Sequence, residues 1–208
     1  MQLSPTVSPA DLPALVIRRL TPSRLPALDA LFASRGCSVA RQCWCMYYRR
    51  SGAEPPRPAG QSRAEANRAA FKALLDDGRF MGLAAYHGKD AVGWLSVGPR
   101  EDYAKLQRSP VMRPVDDAPV WSVVCFVVAG PWRGRGVARA LLQAAIDLAR
   151  RRGKTLEAYP VDKPGRAADD NLWFGPKSMF DACGFEEVAR RKPSRPVVRL
   201  RAARPGTG

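Results

Sequence analysis

Apolar positions recur along this chain in two rhythms, and the switches between them mark out its elements. The run Leu15-Val-Ile-Arg-Arg-Leu20 predicts a first strand; past the Thr21-Pro22-Ser23 cap, Leu28, Leu31 and Phe32 share one helical face. Residues 36–60 show no period and carry Pro55, Pro56 and Pro58, which predicts a long irregular loop. Ser62-Arg63-Ala64-Glu65 is a capping box, and Ala70, Phe71, Leu74 and Leu75 continue at helical spacing until Gly78. Residues 80–86 and 91–97 are β-rich runs on either side of His87, so they predict a hairpin with His87 in its turn. A short helix is expected over 101–107, where Glu101 and Lys105 stand four apart.

Residues 119–128 are apolar without alternation, as a strand covered on both faces requires. After a turn over 129–135, Val137, Leu141, Leu142, Ala145, Leu148 and Ala149 repeat at helical spacing, closed by Arg150-Arg151-Arg152-Gly153. Strands at 155–161, 185–190 and 196–201 and a short helix at 177–182 complete an alternation of helices and strands without internal repeats.

Composition narrows what such a chain can do. With 208 residues, 46% of them apolar, it can bury a core without a disulfide or metal staple; one domain over 14–201 is expected, between flexible segments at 1–13 and 202–208. The formal charge of +15 suits a polyanionic partner, and 27 of the 34 basic residues are arginine, the side chain of bidentate phosphate recognition. A single histidine, His87, removes chemistry built on paired histidines. Five cysteines without a scaffold pattern, no signal-peptide pattern and no long apolar stretch predict a cytoplasmic, reduced protein with no membrane association. Cys37, Cys43 and Cys45 lack a fourth ligand for a closed zinc site, so packing is the expectation and no metal is assigned.

The most informative stretch is Val128-Ala-Gly-Pro-Trp-Arg133-Gly134-Arg135-Gly136-Val137-Ala138, a glycine-rich turn between a buried strand and an amphipathic helix. Glycines let the backbone approach a ligand, and free N–H groups at a helix start favour negative charge, so the turn is an anion cradle. A dinucleotide fingerprint needs a small residue where Arg139 stands, and no Gly-Lys-Ser/Thr follows; neither a Rossmann site nor a P-loop fits. The same glycines are also compatible with an ordinary strand-to-helix turn.

In its context the turn resembles the pyrophosphate loop of the GCN5-related N-acetyltransferase (GNAT) family: Arg133, Gly136 and Ala138 fill the family's Arg/Gln, Gly and Gly/Ala positions in register, and Cys183-Gly184-Phe185 ends a later helix as in the family. The resemblance spans roughly 14–201. It implies an α+β fold, a mixed, twisted central sheet flanked by helices, with two parallel strands splayed to admit acetyl-CoA as cosubstrate. It further implies that Arg133, Gly134, Arg135, Gly136, Val137 and Ala138 hold the phosphates with their amides and guanidinium groups, while the strand edge of Phe126, Val127 and Val128 pairs with the pantetheine amides. The expected reaction is direct acetyl transfer to a primary amine, with the Val128 N–H as oxyanion donor.

One departure stands out, because the family's usual thiolate acid is a tyrosine four residues before the Gly-Phe pair and here that position is Phe180. Tyr159 is the replacement candidate, though packing is the commoner role of a strand tyrosine, and Glu157 and Ser122 are candidate bases on no specific signal. Trp44, Tyr47 and Tyr48, in the segment that borders the acceptor pocket of the implied fold, are candidate substrate contacts. Asp162, Asp169, Asp170, Glu101 and Asp102 could attract a cationic substrate, though loop carboxylates are usually just solvated.

Three function classes follow: an acetyltransferase for a small amine such as a metabolite or antibiotic, one for a protein lysine or N-terminus, and a non-catalytic acyl-CoA- or nucleic-acid-binding module. A protein substrate would call for a wide acidic groove. Basic residues are scattered from Arg18 to Arg204 with no nucleic-acid motif, so the small-amine enzyme ranks first and specific nucleic-acid binding last. Family habit suggests a homodimer.

Overall fold

A computed structural model describes residues 14–54, 56–163 and 173–201; the segments 1–13 and 202–208 lie outside the described residues, as do Asp169 and Asp170. Seven strands form one sheet in the order β1-β2-β3-β4-β5-β7-β6, with β1 Val16–Arg19, β2 Gly82–His87, β3 Asp90–Pro99, β4 Val120–Val128, β5 Thr155–Ala158, β6 Glu186–Arg190 and β7 Pro196–Leu200. All neighbours are antiparallel except β4 and β5, which are parallel, so the sheet is mixed and the architecture α+β.

Helix α5 (Val137–Arg151) makes the parallel crossover and, with α6 (Lys177–Asp181), covers one face through Val137, Leu141, Leu142, Ala145, Ile146 and Phe180. The opposite face carries α1 (Leu25–Ala33), α2 (Ser38–Cys43), α3 (Arg63–Asp76) and α4 (Ala104–Gln107) over two further clusters. Gly93 permits the closest approach of α5, because a Cβ there would meet Val137 Cγ1 at 2.6 Å.

Between β3 and β4 the register slips: Ser96 faces Cys125 while Val97 faces Val123, leaving Val124 as the extra residue of a bulge. The bulge breaks the alternation of β4, so Val124 and Cys125 both face α1–α4 while Phe126 and Val128 face α5. Beyond the bulge β4 pairs with no strand on its β5 side among the described residues. Its parallel pairing with β5 covers only Val120–Val123 against Thr155–Ala158, and Pro160, which has no N–H to offer a ladder, follows where β5 turns away.

Several expectations are corrected in detail. The stretch 36–60 holds α2, whose single buried residue Ala40 leaves almost no period to read; Asn67 on α3 anchors it by donating to the Gln42 carbonyl at 2.8 Å. His87 is not in the turn but ends β2 paired with Asp90, and the turn is Gly88-Lys89, with Gly88 at φ +59°. The helix expected over 101–107 splits into a 3-10 turn at Arg100–Asp102 and the short α4, where Lys105 caps the Tyr47 ring at 3.9 Å rather than pairing with Glu101. The capping box at Ser62 and Glu65 forms, and α5 spans Val137–Arg151 as its period predicts.

Candidate active site

The glycine turn is built from backbone geometry. A 3-10 turn at Gly130–Trp132 leads to Arg133, then Gly134 at φ +72° and Gly136 at φ +78°, the latter capping α5. Both are left-handed conformations that cost a side chain dearly, so glycine is required at each. They expose Gly134, Arg135 and Gly136 while turning Val137 into the core. The first intrahelical bond runs from Ala140 N to Gly136 O, which leaves the N–H groups at the head of α5 without helical acceptors. A helix of 15 residues adds its dipole to them.

Arg133 makes contacts within the protein. Its guanidinium donates to the Val128 carbonyl at 3.2 Å and the Gly36 carbonyl at 2.6 Å, which ties the end of β4 to the loop after α1 and turns the side chain inward.

The edge of β4 points into the gap left by β5. Phe126 N donates at 2.6 Å to the Trp173 carbonyl, not to β3, and by the two-residue alternation of a strand Val128 directs its N–H the same way. Val127 faces β3 instead. The segment Trp173–Pro176 thus sits at the mouth of the gap, held also by Val161 N to Gly175 O at 2.9 Å and Lys177 N to Val161 O at 2.9 Å.

Below the gap lies a buried polar network joining the three catalytic candidates. Tyr159 is fully buried; its hydroxyl donates to Glu157 Oε1 at 2.8 Å and lies 3.0 Å from Ser122 Oγ. Glu157 also accepts from Arg199 Nε at 2.8 Å, and Arg199 makes a second, bidentate pair with Asp116 at 2.6 and 2.9 Å. Arg100 approaches the same Glu157 carboxylate at 3.6 Å. Burial, then the Glu157 carboxylate, pushes the Tyr159 phenol well above its usual range, so it is protonated at neutral pH. Both Glu157 oxygens are thus engaged inside the protein, Oε1 by Tyr159 and Oε2 by Arg199, with Arg100 alongside.

The aromatic candidates separate. Trp44 is buried in the core, its ring 4.9 Å from Phe32 and 5.6 Å from Phe71, and belongs to packing. Tyr47 is exposed and Tyr48 half-buried, and Tyr48 meets Phe174 edge-on at 5.4 Å. Sequence reading did not single out Phe174 or Arg195: they reach the site from a loop and from the β6–β7 turn, and no local period marks them. Asp162 is bound by Arg190 at 2.7 Å, and Asp102 by Arg79 at 3.0 Å and Arg49 at 3.4 Å; Glu101 lines a cleft of about 480 Å³ with Met46, Arg49, Leu74 and Arg79, which no residue of the glycine turn enters.

The cysteines are free. Cys45 accepts from Trp94 Nε1 at 3.3 Å and from the Cys125 thiol, whose bond holds the Cys45 thiol below its ordinary range. Among the described residues no group of three or more histidines, cysteines or carboxylates is arranged to hold a metal, and no helix is long and apolar enough to cross a membrane.

Solved structures share this architecture. An acetyltransferase of the GNAT family from Desulfovibrio desulfuricans superposes with a TM-score of 0.53 at 18% identity, covering 91% of this chain and 100% of that one. A Corynebacterium glutamicum protein described as histone acetyltransferase HPA2 and related acetyltransferase gives 0.54 at 14% identity over 92% and 98%. An acetyltransferase from Thermus thermophilus gives 0.50 at 20% over 91% and 98%. No curated protein matches the chain significantly. Residues 42–170 match the model of the acetyltransferase (GNAT) family. The splayed parallel pair, the glycine turn at the head of α5 and that match together make this chain a member of the GNAT family of N-acetyltransferases, whose members in general use acetyl-CoA as cosubstrate.

Proposed function

We propose that this enzyme transfers the acetyl group of acetyl-CoA directly to the primary amine of a small molecule. The observation that carries the reading is the end of β4, parted from β5 after Val123 and running straight into the glycine turn and α5. In this reading the N–H groups of Gly134, Arg135, Gly136, Val137 and Ala138 hold the pyrophosphate, Arg135 adds charge from an exposed position, and Arg133 stiffens the turn. The β4 edge at Phe126 and Val128 pairs with the pantetheine, and for this the Trp173 carbonyl must leave the Phe126 N–H. The Val128 N–H stabilises the oxyanion.

Transfer needs a neutral amine, which attacks the thioester carbon; the tetrahedral intermediate collapses with loss of the coenzyme A thiolate, and the amine proton leaves to solvent. A thiol of ordinary acidity departs near neutral pH without a side-chain acid, which fits Phe180 in the family's tyrosine position. Tyr159, already donating to Glu157, then acts with Ser122 as a brace under the gap. A small acceptor is favoured over a protein because the carboxylates Glu157, Asp162, Asp116 and Asp102 are all neutralised by arginines, leaving no acidic groove among the described residues. The test is incubation with acetyl-CoA and a panel of primary amines and lysine peptides, reading free coenzyme A. Turnover of small amines supports the reading, and turnover of peptides alone contradicts it.

A further inference from the structure

Rings cross the mouth of the gap on the α1–α4 side: Tyr47 meets Tyr48 at 4.9 Å, Tyr48 meets Phe174 at 5.4 Å, and Phe174 meets Tyr159 at 6.1 Å. Two cations sit on this row. Lys105 Nζ lies 3.9 Å above Tyr47, and the Arg195 guanidinium lies 4.7 Å above Phe174, one residue from the Trp173 carbonyl on Phe126 N.

Arg195 is half-buried in the β6–β7 turn, anchored by one bond from Nη1 to the Tyr159 carbonyl at 3.1 Å, and it makes no ion pair with any described carboxylate. Its neighbours differ: Arg190 is paired with Glu187 and Asp162, and Arg191 donates to the carbonyls of Val111, Arg113 and Pro114. Burial lowers the Arg195 pKa, opposed by the Tyr48 hydroxyl, as befits a desolvated cation with no counter-ion among the described residues. The face of Phe174 offsets part of that cost, and an incoming anion would offset more. A cationic acceptor, by contrast, would meet two positive charges at the entrance.

We propose that Arg195 selects an acceptor that carries a carboxylate beside its amine, an amino-acid-like substrate whose carboxylate docks on the guanidinium while the amine points to the β4 edge. The planar fork of guanidinium matches a carboxylate, and Tyr48 and Phe174 would hold the acceptor's apolar part. The proposal rests on the gap being the acetyl-transfer site.

The experiment compares amino acids with their methyl esters and their decarboxylated amines, at saturating acetyl-CoA, in wild type, Arg195→Gln and Arg195→Lys. The expected result is at least a tenfold higher kcat/KM for the free acid of an accepted amino acid than for its ester. Arg195→Gln should raise KM for the acid about tenfold or more with kcat and the KM of acetyl-CoA within about twofold, and Arg195→Lys should restore only part of the loss, because an ammonium keeps the charge and loses the fork. Esters or decarboxylated amines used as well as the acids, or an Arg195→Gln variant with unchanged KM for the acid, would overturn it. Acetyl-CoA binding by calorimetry without turnover of any free acid also overturns it, whereas failure to bind acetyl-CoA sinks the reading of the gap itself.

Discussion

The two ends of the gap between β4 and β5 are made in different ways. The proposed coenzyme end, Gly130 to Ala138, is a continuous stretch whose shape is held by two left-handed glycines and the start of α5. The proposed acceptor end gathers Tyr48, Phe174, Tyr159 and Arg195 from four separate places in the chain, and its character lies in side chains. A site made from backbone tolerates little change and serves a common ligand; one made from side chains can be retuned residue by residue.

The largest expected effect is therefore at the coenzyme end. Gly136→Asp forces a side chain into φ +78° and sets a carboxylate against the phosphate site, so acetyl-CoA affinity should fall by about 10²-fold or more, read by calorimetry. An unchanged affinity would move the phosphate site elsewhere.

Beneath the acceptor end, stability and catalysis should come apart. Glu157→Gln leaves Arg199 and Arg100 undercompensated in the interior and should cost about 3 kcal/mol, a fall of roughly 6–12 °C in Tm for a chain this size. Tyr159→Phe removes one buried donor and should cost about 1–2 kcal/mol, with kcat changing less than about threefold and the pH profile unmoved. A 10²-fold loss of kcat with a shifted profile would instead make Tyr159 the thiolate acid.

The smallest effect concerns Asp116, which the Arg199 guanidinium holds at about 2 rather than 3.8. Because the folded-state value is the lower one, the stabilisation is present above pH 4 and is lost as pH falls toward 2. The Asp116 side chain is half exposed, so Asp116→Asn should lower Tm by only a few degrees at pH 7, and the difference from wild type should close by pH 2. A gap that stays constant with pH would contradict the ion-pair account.

The same division explains what could be read from the sequence. The capping box at Ser62, the period of α5 and the unalternating β4 are local signals, and the glycine turn is contiguous, so all were legible. The bulge at Val124 was not, since two residues on one face look no different in sequence from a doubly covered strand. Arg133 turned inward because its acceptors, Val128 and Gly36, come together only in the fold. Glu157 and Tyr159 were visible as candidates, but the pairing of Glu157 with Arg199 depends on β7 lying beside β5, a long-range pairing no period encodes.

Amide hydrogen exchange with and without acetyl-CoA tests the central claim most directly, because it reads the backbone groups assigned to the ligand. The account predicts added protection at Val128 and Gly134–Ala138, with the β1–β2 pairing around Val16–Arg19 unaffected. Bound acetyl-CoA with no change at the glycine turn would contradict it.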